Sequence, residues 1–246
     1  MVTSFGFKEN ASDQYIYLKK NESHFIILVL YVDDILLARS SVELLTKTKF
    51  MLNSHFNMKG LGDAPVFLGI QISRDRSRGI LGLFQRGYID KVLKRFNIHS
   101  CSSCAAPVQK GDKLSKSQCP QNDNDKVEMK KVPYASAVGS LIYTQVCTRP
   151  DIAFVVNALG RYLSDPGLDH WKAVKKVFRY LQGTKDHMLT FKKSDQLQVI
   201  GYSDFDFAGC PIDRKSTSGF IFMMGGGAIS WKSVKQTLTT TSTMEA

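Results

Sequence analysis

The chain has 246 residues, 43% apolar, 11% aromatic and 22% charged, which suits one or two globular domains with real cores and excludes a disordered polymer. No apolar run approaches the roughly 20 residues that span a bilayer, and the first residues do not form a basic-then-apolar leader. Five cysteines are too few, and odd in number, for a disulfide framework, so a reducing, intracellular setting without a membrane segment is expected. With 33 Lys and Arg against 22 Asp and Glu the net charge is +11, which favours a polyanionic partner, nucleic acid first, although an ordinary basic surface fits equally well.

In chain order, residues 15–19 and 25–32 read as strands around the turn Lys20-Asn21-Glu22-Ser23, with another strand at 35–38 after Asp33-Asp34. Ser40 with Glu43 three residues on is a capping-box pattern, and the helix it opens is expected to bury Val42, Leu45, Leu52 and Phe56, with Lys47 and Lys49 outside. Gly60-Leu61-Gly62-Asp63 ends it. Residues 66–73 read as a strand paired with 80–84 across the charged turn at 74–79. Ile89, Val92, Leu93 and Phe96 at i, i+3, i+4 and i+7 predict a short amphipathic helix, which completes an α+β block ending near residue 98.

From 100 to 131 no period survives, and a flexible connector is expected. Cys101-Ser102-Ser103-Cys104 has the spacing of a zinc half-site or a redox pair, but no second Cys/His pair follows, so incidental thiols are the plainer reading. Three helices come next. The first, 134–146, is apolar around Val138, Leu141 and Ile142. Thr148-Arg149-Pro150-Asp151 stops it and starts a second, which carries Ile152, Val155, Val156 and Leu159. The third, 168–182, buries Trp171, Val174, Phe178 and Leu181 and ends at Gly183 as a C′ residue. Its other face shows Lys172, Lys175, Lys176 and Arg179, either a solvated face or a phosphate track. Residues 197–203, 220–224 and 228–232 read as strands, and Ser242-Thr243-Met244-Glu245 as the beginning of a helix.

Asp33 and Asp34 stand between two apolar strands. Adjacent carboxylates in apolar surroundings repel each other and resist desolvation unless a cation holds them, and Mg²⁺ with phosphate oxygens is the natural solution. On these two residues alone a plain Asp-Asp turn is the favoured reading, since Asp is a common turn residue.

The wider context carries a resemblance. Tyr31-Val32-Asp33-Asp34-Ile35-Leu36-Leu37-Ala38 resembles the catalytic hairpin of reverse transcriptases, in the form used by copia-type LTR retrotransposons. Phe56 to Gly62 and then Phe67-Leu68-Gly69-Ile70-Gln71-Ile72 resemble that family's late palm and primer grip, and Gln85 to Phe96 the start of its thumb. Tyr134 to Leu141, Thr148 to Ala153 and His170 to Lys185 resemble the connection. Tyr202-Ser203-Asp204, Asp213-Arg214-Lys215-Ser216-Thr217-Ser218-Gly219 and Ile229-Ser230-Trp231-Lys232-Ser233 resemble the opening of a ribonuclease H domain. The implied fold is α+β: a partial palm and thumb over 1–98, a polar connector over 99–132, a helical connection over 133–186, and a truncated ribonuclease H-like mixed sheet over 187–246.

The resemblance implies RNA-directed DNA synthesis with two Mg²⁺ ions, and degradation of the RNA strand at a second carboxylate cluster, acting on an RNA/DNA template-primer or hybrid duplex. Asp33 and Asp34 match the polymerase metal ligands and Asp204 the first ribonuclease H acid. Tyr31, Phe67, Leu68 and Gly69 match the primer-side contacts, and Lys172, Lys175, Lys176 and Arg179 are the candidate nucleic-acid cations. The family's further palm Asp has no counterpart: only Glu9, Asp13 and Glu22 precede the hairpin, outside that motif. Glu245 matches a non-ligand Glu of the ribonuclease H helix. A two-metal site with so few acids is expected to bind Mg²⁺ poorly and to be inactive alone. Two other readings remain: a nucleic-acid-binding remnant without catalysis, and an unrelated α+β enzyme in which the Asp pair is coincidental.

Overall fold

Residues 25–31 form one unbroken apolar run, yet only Ile26 and Leu28 in it are fully buried, the period-two burial of a strand with one face on a core. The structure is a computed structural model that describes residues 2–21, 23–109, 112, 114–210 and 214–245. Glu22 of the expected turn and Asp213 of the 213–219 motif lie outside the described residues. Two compact units are present, divided between Phe67 and Leu68.

In the first unit, β1 (Lys8–Glu9), β2 (Ile16–Asn21), β3 (His24–Tyr31) and β4 (Asp34–Arg39) form an antiparallel sheet in that order. Helix α1 (Val42–His55) packs on it through Leu44, Thr48 and Leu52, which join Phe7, Ile26 and Leu28 in the core. The expected burial of Val42 and Phe56 is wrong: they are 61% and 43% exposed, because the inward stripe runs through 44, 48 and 52. The capping box is absent too. Ser40 instead bonds the Phe25 backbone, its hydroxyl donating to the carbonyl and accepting the amide, while Glu43 pairs with Lys47. The sheet's demand on Ser40 prevails, and Ser41 takes the N-cap position without a side-chain bond. The unit closes with β5 (Val66–Phe67).

In the second unit, β6 (Ile70–Asp75), β7 (Ile80–Phe84) and β8 (Leu189–Lys192) pair antiparallel. The strand expected over 66–73 is interrupted at Leu68 and Gly69, both at positive φ. Helices α2 (Arg86–Arg95), α4 (Tyr134–Thr148), α5 (Ala153–Gly160) and α6 (Leu168–Gly183) converge on one core, which includes Leu93, Leu141, Leu159 and Phe178. Phe96 stacks on Phe178 with centroids 5.2 Å apart. Ile142, expected inside, is 39% exposed. Gly183 is the last residue of α6 rather than its C′ residue; a Cβ there would lie 2.9 Å from that of Ser103, so glycine serves close approach.

The region expected as a structureless connector contains a 3₁₀ turn (Lys116–Gln118) and helix α3 (Asp123–Lys130), capped by the Asn122 side chain. It is fastened to α6 by Arg179 to Ser102, Lys176 to Asp112 and Gln182 to the His99 carbonyl. Cys104 directs its thiol at the carbonyls of Ala106 and Lys176, and all five cysteines are free.

Between α4 and α5, the Arg149 guanidinium is only 3% exposed. It donates to Asp151 at 2.7 and 3.0 Å and to the carbonyl and hydroxyl of Thr184 at 3.0 and 2.7 Å. Tyr180 donates to the same Asp151. Burial alone would raise the Asp151 carboxyl, but Arg149 and the Tyr180 hydroxyl hold it below its ordinary range.

The last sheet, ordered β11-β10-β9, comprises β9 (Val199–Asp206), β10 (Thr217–Met224) and β11 (Gly227–Lys235). Its pairings are antiparallel, so the expected mixed sheet is not present among the described residues. The strands begin and end a few residues away from expectation, and β8 was not anticipated. Every residue of the edge strand β9 is exposed. Residues 242–245, expected to open a helix, form a bend and a turn, and Glu245 accepts from Thr241. No helix of the described residues is long and apolar enough to cross a membrane.

Truncating Phe178 to Ala should cost the second unit about 4 kcal/mol, and Phe96 to Ala, half-buried, about 2 kcal/mol, as read by denaturant unfolding. His170 gives a pH dependence. Its ring is fully buried, accepts the Gly167 amide on Nδ1 at 2.9 Å and stacks on Tyr162. Burial holds it below its ordinary 6.5, against weaker pulls from the Ser115 backbone and the Asp169 and Asp165 carboxylates. The unfolded chain therefore binds this proton more readily. The stabilisation is complete above pH 6.5 and declines as pH falls toward the folded value. Melting temperature should drop over that window in the native chain, and His170→Gln should remove this part of the drop.

Candidate carboxylate and nucleic-acid sites

Two carboxylate positions come from different units, and each is considered within its own. In the first, Tyr31 pairs with Asp34 across β3 and β4, which leaves Val32 and Asp33 as a two-residue hairpin loop. A positive φ at the first loop position only is the II′ pattern, a place for glycine; here Val32 occupies it at φ 50 and is 89% exposed. A β-branched residue in that region is strained. The loop presents the carboxylates of Asp33 and Asp34 to solvent, and Tyr31 beside them is 52% exposed. The desolvation expected for this acid pair is therefore absent.

In the second unit, Asp204 lies on β9 in a cleft of about 420 Å³ lined by Phe154, Tyr202, Asp206 and Trp231. Its carboxylate accepts the Phe205 amide at 2.9 Å. Asp206, two residues on, matches none of the metal ligands in the resemblance and is not among the sequence candidates, although the period of two puts it on the same strand face as Asp204. One of its oxygens accepts the Thr217 amide and so clamps the end of the β9–β10 pair. Trp231 donates to the Gln145 carbonyl at 3.1 Å, joining this sheet to α4. Among the described residues no three His, Cys, Asp or Glu side chains stand close enough to hold a metal ion.

The remaining candidates are scattered. Phe67 ends β5, and Leu68 and Gly69 form the corner that follows. Of the four cations on α6, Lys172 pairs with Asp169, Lys176 with Asp112 and Gln109, and Arg179 with Ser102. Lys175 is exposed and has no partner among the described residues. The structure therefore engages most of the stripe internally.

Comparison with known proteins defines the class first. The family described as "Reverse transcriptase (RNA-dependent DNA polymerase)" matches residues 1–110. The Retrovirus-related Pol polyprotein from transposon TNT 1-94 of Nicotiana tabacum is 47% identical over 236 residues, 96% of this chain and 18% of the polyprotein. That from transposon RE2 of Arabidopsis thaliana is 37% identical over 248 residues, covering all of this chain and 16% of the polyprotein. An uncharacterized mitochondrial protein of Arabidopsis thaliana, AtMg00810, is 37% identical over 224 residues, 89% of this chain and 87% of that protein. No solved structure matches. The chain belongs to the reverse-transcriptase Pol family of copia-type retrotransposons, and it spans less than a fifth of the length of the polyproteins it matches. The reading as an unrelated enzyme falls with this.

Val32→Gly should relieve the hairpin tip and stabilise the first unit by about 0.5–1 kcal/mol, the relief of the left-handed valine less the entropy that glycine adds to the unfolded chain. Chemical denaturation followed on the first unit measures it.

Proposed function

We propose that this chain is the nucleic-acid-holding part of a copia-type reverse transcriptase: late palm, thumb, connection and the opening strands of a ribonuclease H domain, catalytically incomplete by itself. The observation that carries the reading is the strained Tyr31-Val32-Asp33-Asp34 tip, which offers two adjacent carboxylates to solvent and no third acid within metal reach among the described residues. Two-metal phosphoryl chemistry with Mg²⁺ needs several acids from different elements to fix both ions, the attacking oxygen and the leaving oxygen. Among the described residues neither the Asp33–Asp34 pair nor Asp204 has the further acids that this chemistry asks for.

What the chain retains is a basic character suited to a template-primer or hybrid duplex, with a net charge of +11. The internal pairing of Lys172, Lys176 and Arg179 supports contact spread over many weak sites rather than one track along α6. A second reading, a nucleic-acid-binding module without catalysis, is favoured by the net charge of +11.

The deciding experiment pairs primer extension on an RNA template in Mg²⁺ with a mobility shift on an RNA–DNA hybrid. No extension and salt-sensitive binding are expected. Asp33→Asn and Asp204→Asn should leave the affinity unchanged or slightly tighter, since each removes a negative charge. Incorporation of deoxynucleotides by purified chain would overturn the incompleteness, and no binding at low salt would overturn the holding role.

A further inference from the structure

The corner at Leu68 and Gly69 is built against the preferences of its residues. Both are left-handed, at φ 51 and 72, and Leu68 is a side-chain-bearing residue in a region that L-residues avoid. Something outside the corner must hold it. Helix α4 supplies the hold: the Tyr143 hydroxyl donates to the Leu68 carbonyl, from 75 residues away in sequence. Glycine suits Gly69 by its φ, and a Cβ there would lie a tight 3.1 Å from the same hydroxyl. The tyrosine is itself fixed, its ring meeting Tyr88 of α2 edge to face with centroids 4.8 Å apart. A second tie runs beside it, where the Gly87 amide donates to the Gln71 side chain of β6 at 2.9 Å. Yet the corner faces outward, with Leu68 36% exposed. It is an exposed backbone segment hydrogen-bonded from beneath.

We propose that Tyr143 is a positioning residue whose hydroxyl latches the Leu68–Gly69 corner in the shape that meets a nucleic-acid strand. The inference rests on the reading of Phe67, Leu68 and Gly69 as primer-side contacts. A rigid corner binds without the entropy cost of ordering, so releasing it weakens association without removing any contact or charge. This separates the latch from a phosphate-binding cation, whose loss would also flatten the salt dependence.

The test compares the full chain with Tyr143→Phe, which keeps the ring and removes the hydroxyl that bonds the Leu68 carbonyl and Cys147. Amide exchange over residues 66–72 should speed up about 3–10-fold and affinity for an RNA–DNA hybrid should fall by a similar factor, the loss of one net hydrogen bond. The slope of affinity against salt should not change. Gly69→Ala attacks the same corner from the other side and should reproduce both effects, so the result does not hang on one variant. Unchanged exchange in both variants overturns the latch. Faster exchange with unchanged hybrid affinity overturns its role in binding. A native chain that binds no hybrid overturns the primer-contact reading itself, while the exchange data still decide whether the latch exists.

Discussion

A single guanidinium sets the geometry on which the helical core depends. Burying Arg149 is costly unless its donors are met, and Asp151 and Thr184 meet them from two directions. Asp151 starts the turn into α5 and Thr184 ends α6, so the charge ties the beginning of one helix to the end of another. Tyr180 bonds Asp151 and lies within 5.4 Å of the guanidinium, closing the arrangement. Apolar side chains of α2, α4, α5 and α6 are interchangeable in kind, whereas this polar joint is satisfied in one register only. It thereby selects which packing of the helices is adopted.

The helical half of the fold was legible because its signals are local. Ile89, Val92 and Leu93, and the set Ile152, Val155, Val156 and Leu159, are buried as their spacing dictates. Where reading failed, a distant partner had intervened. Ser40 is claimed by Phe25, so it does not cap α1. Strand β8 exists by pairing with β7, more than 100 residues earlier, and has little local pattern of its own. The polar stretch after residue 100 has no hydrophobic period because side-chain bonds to α6 and a few isolated apolar residues, Val108, Leu114 and Met129, hold it rather than a regular stripe.

The candidate sites were legible as chemistry and illegible as environment. The order of residues marks Asp33, Asp34 and Asp204, but no pattern in the sequence reports that the first two stand in solvent on a strained loop. Nor does it report that the α6 cations are largely engaged by Asp169, Asp112, Gln109 and Ser102. Exposure and pairing are properties of the assembled surface. The corner at residues 68–69 is the clearest instance, since both its conformation and its support arise from a tyrosine in another element.

Among the described residues strand β9 pairs on one side only, with β10, and its charged residues are Asp204 and Asp206. It contains neither proline nor lysine, the usual protections of a bare strand. Asp204 also occupies the Phe205 amide, a donor that would otherwise be offered to any extended peptide nearby. Alanine at position 204, the customary way to silence a carboxylate, is therefore not a clean knock-out. It uncovers a hydrogen-bond donor and removes repulsion along the same edge, so precipitation of the variant would imitate a loss of function. Asparagine, which keeps an acceptor in place, separates the two effects.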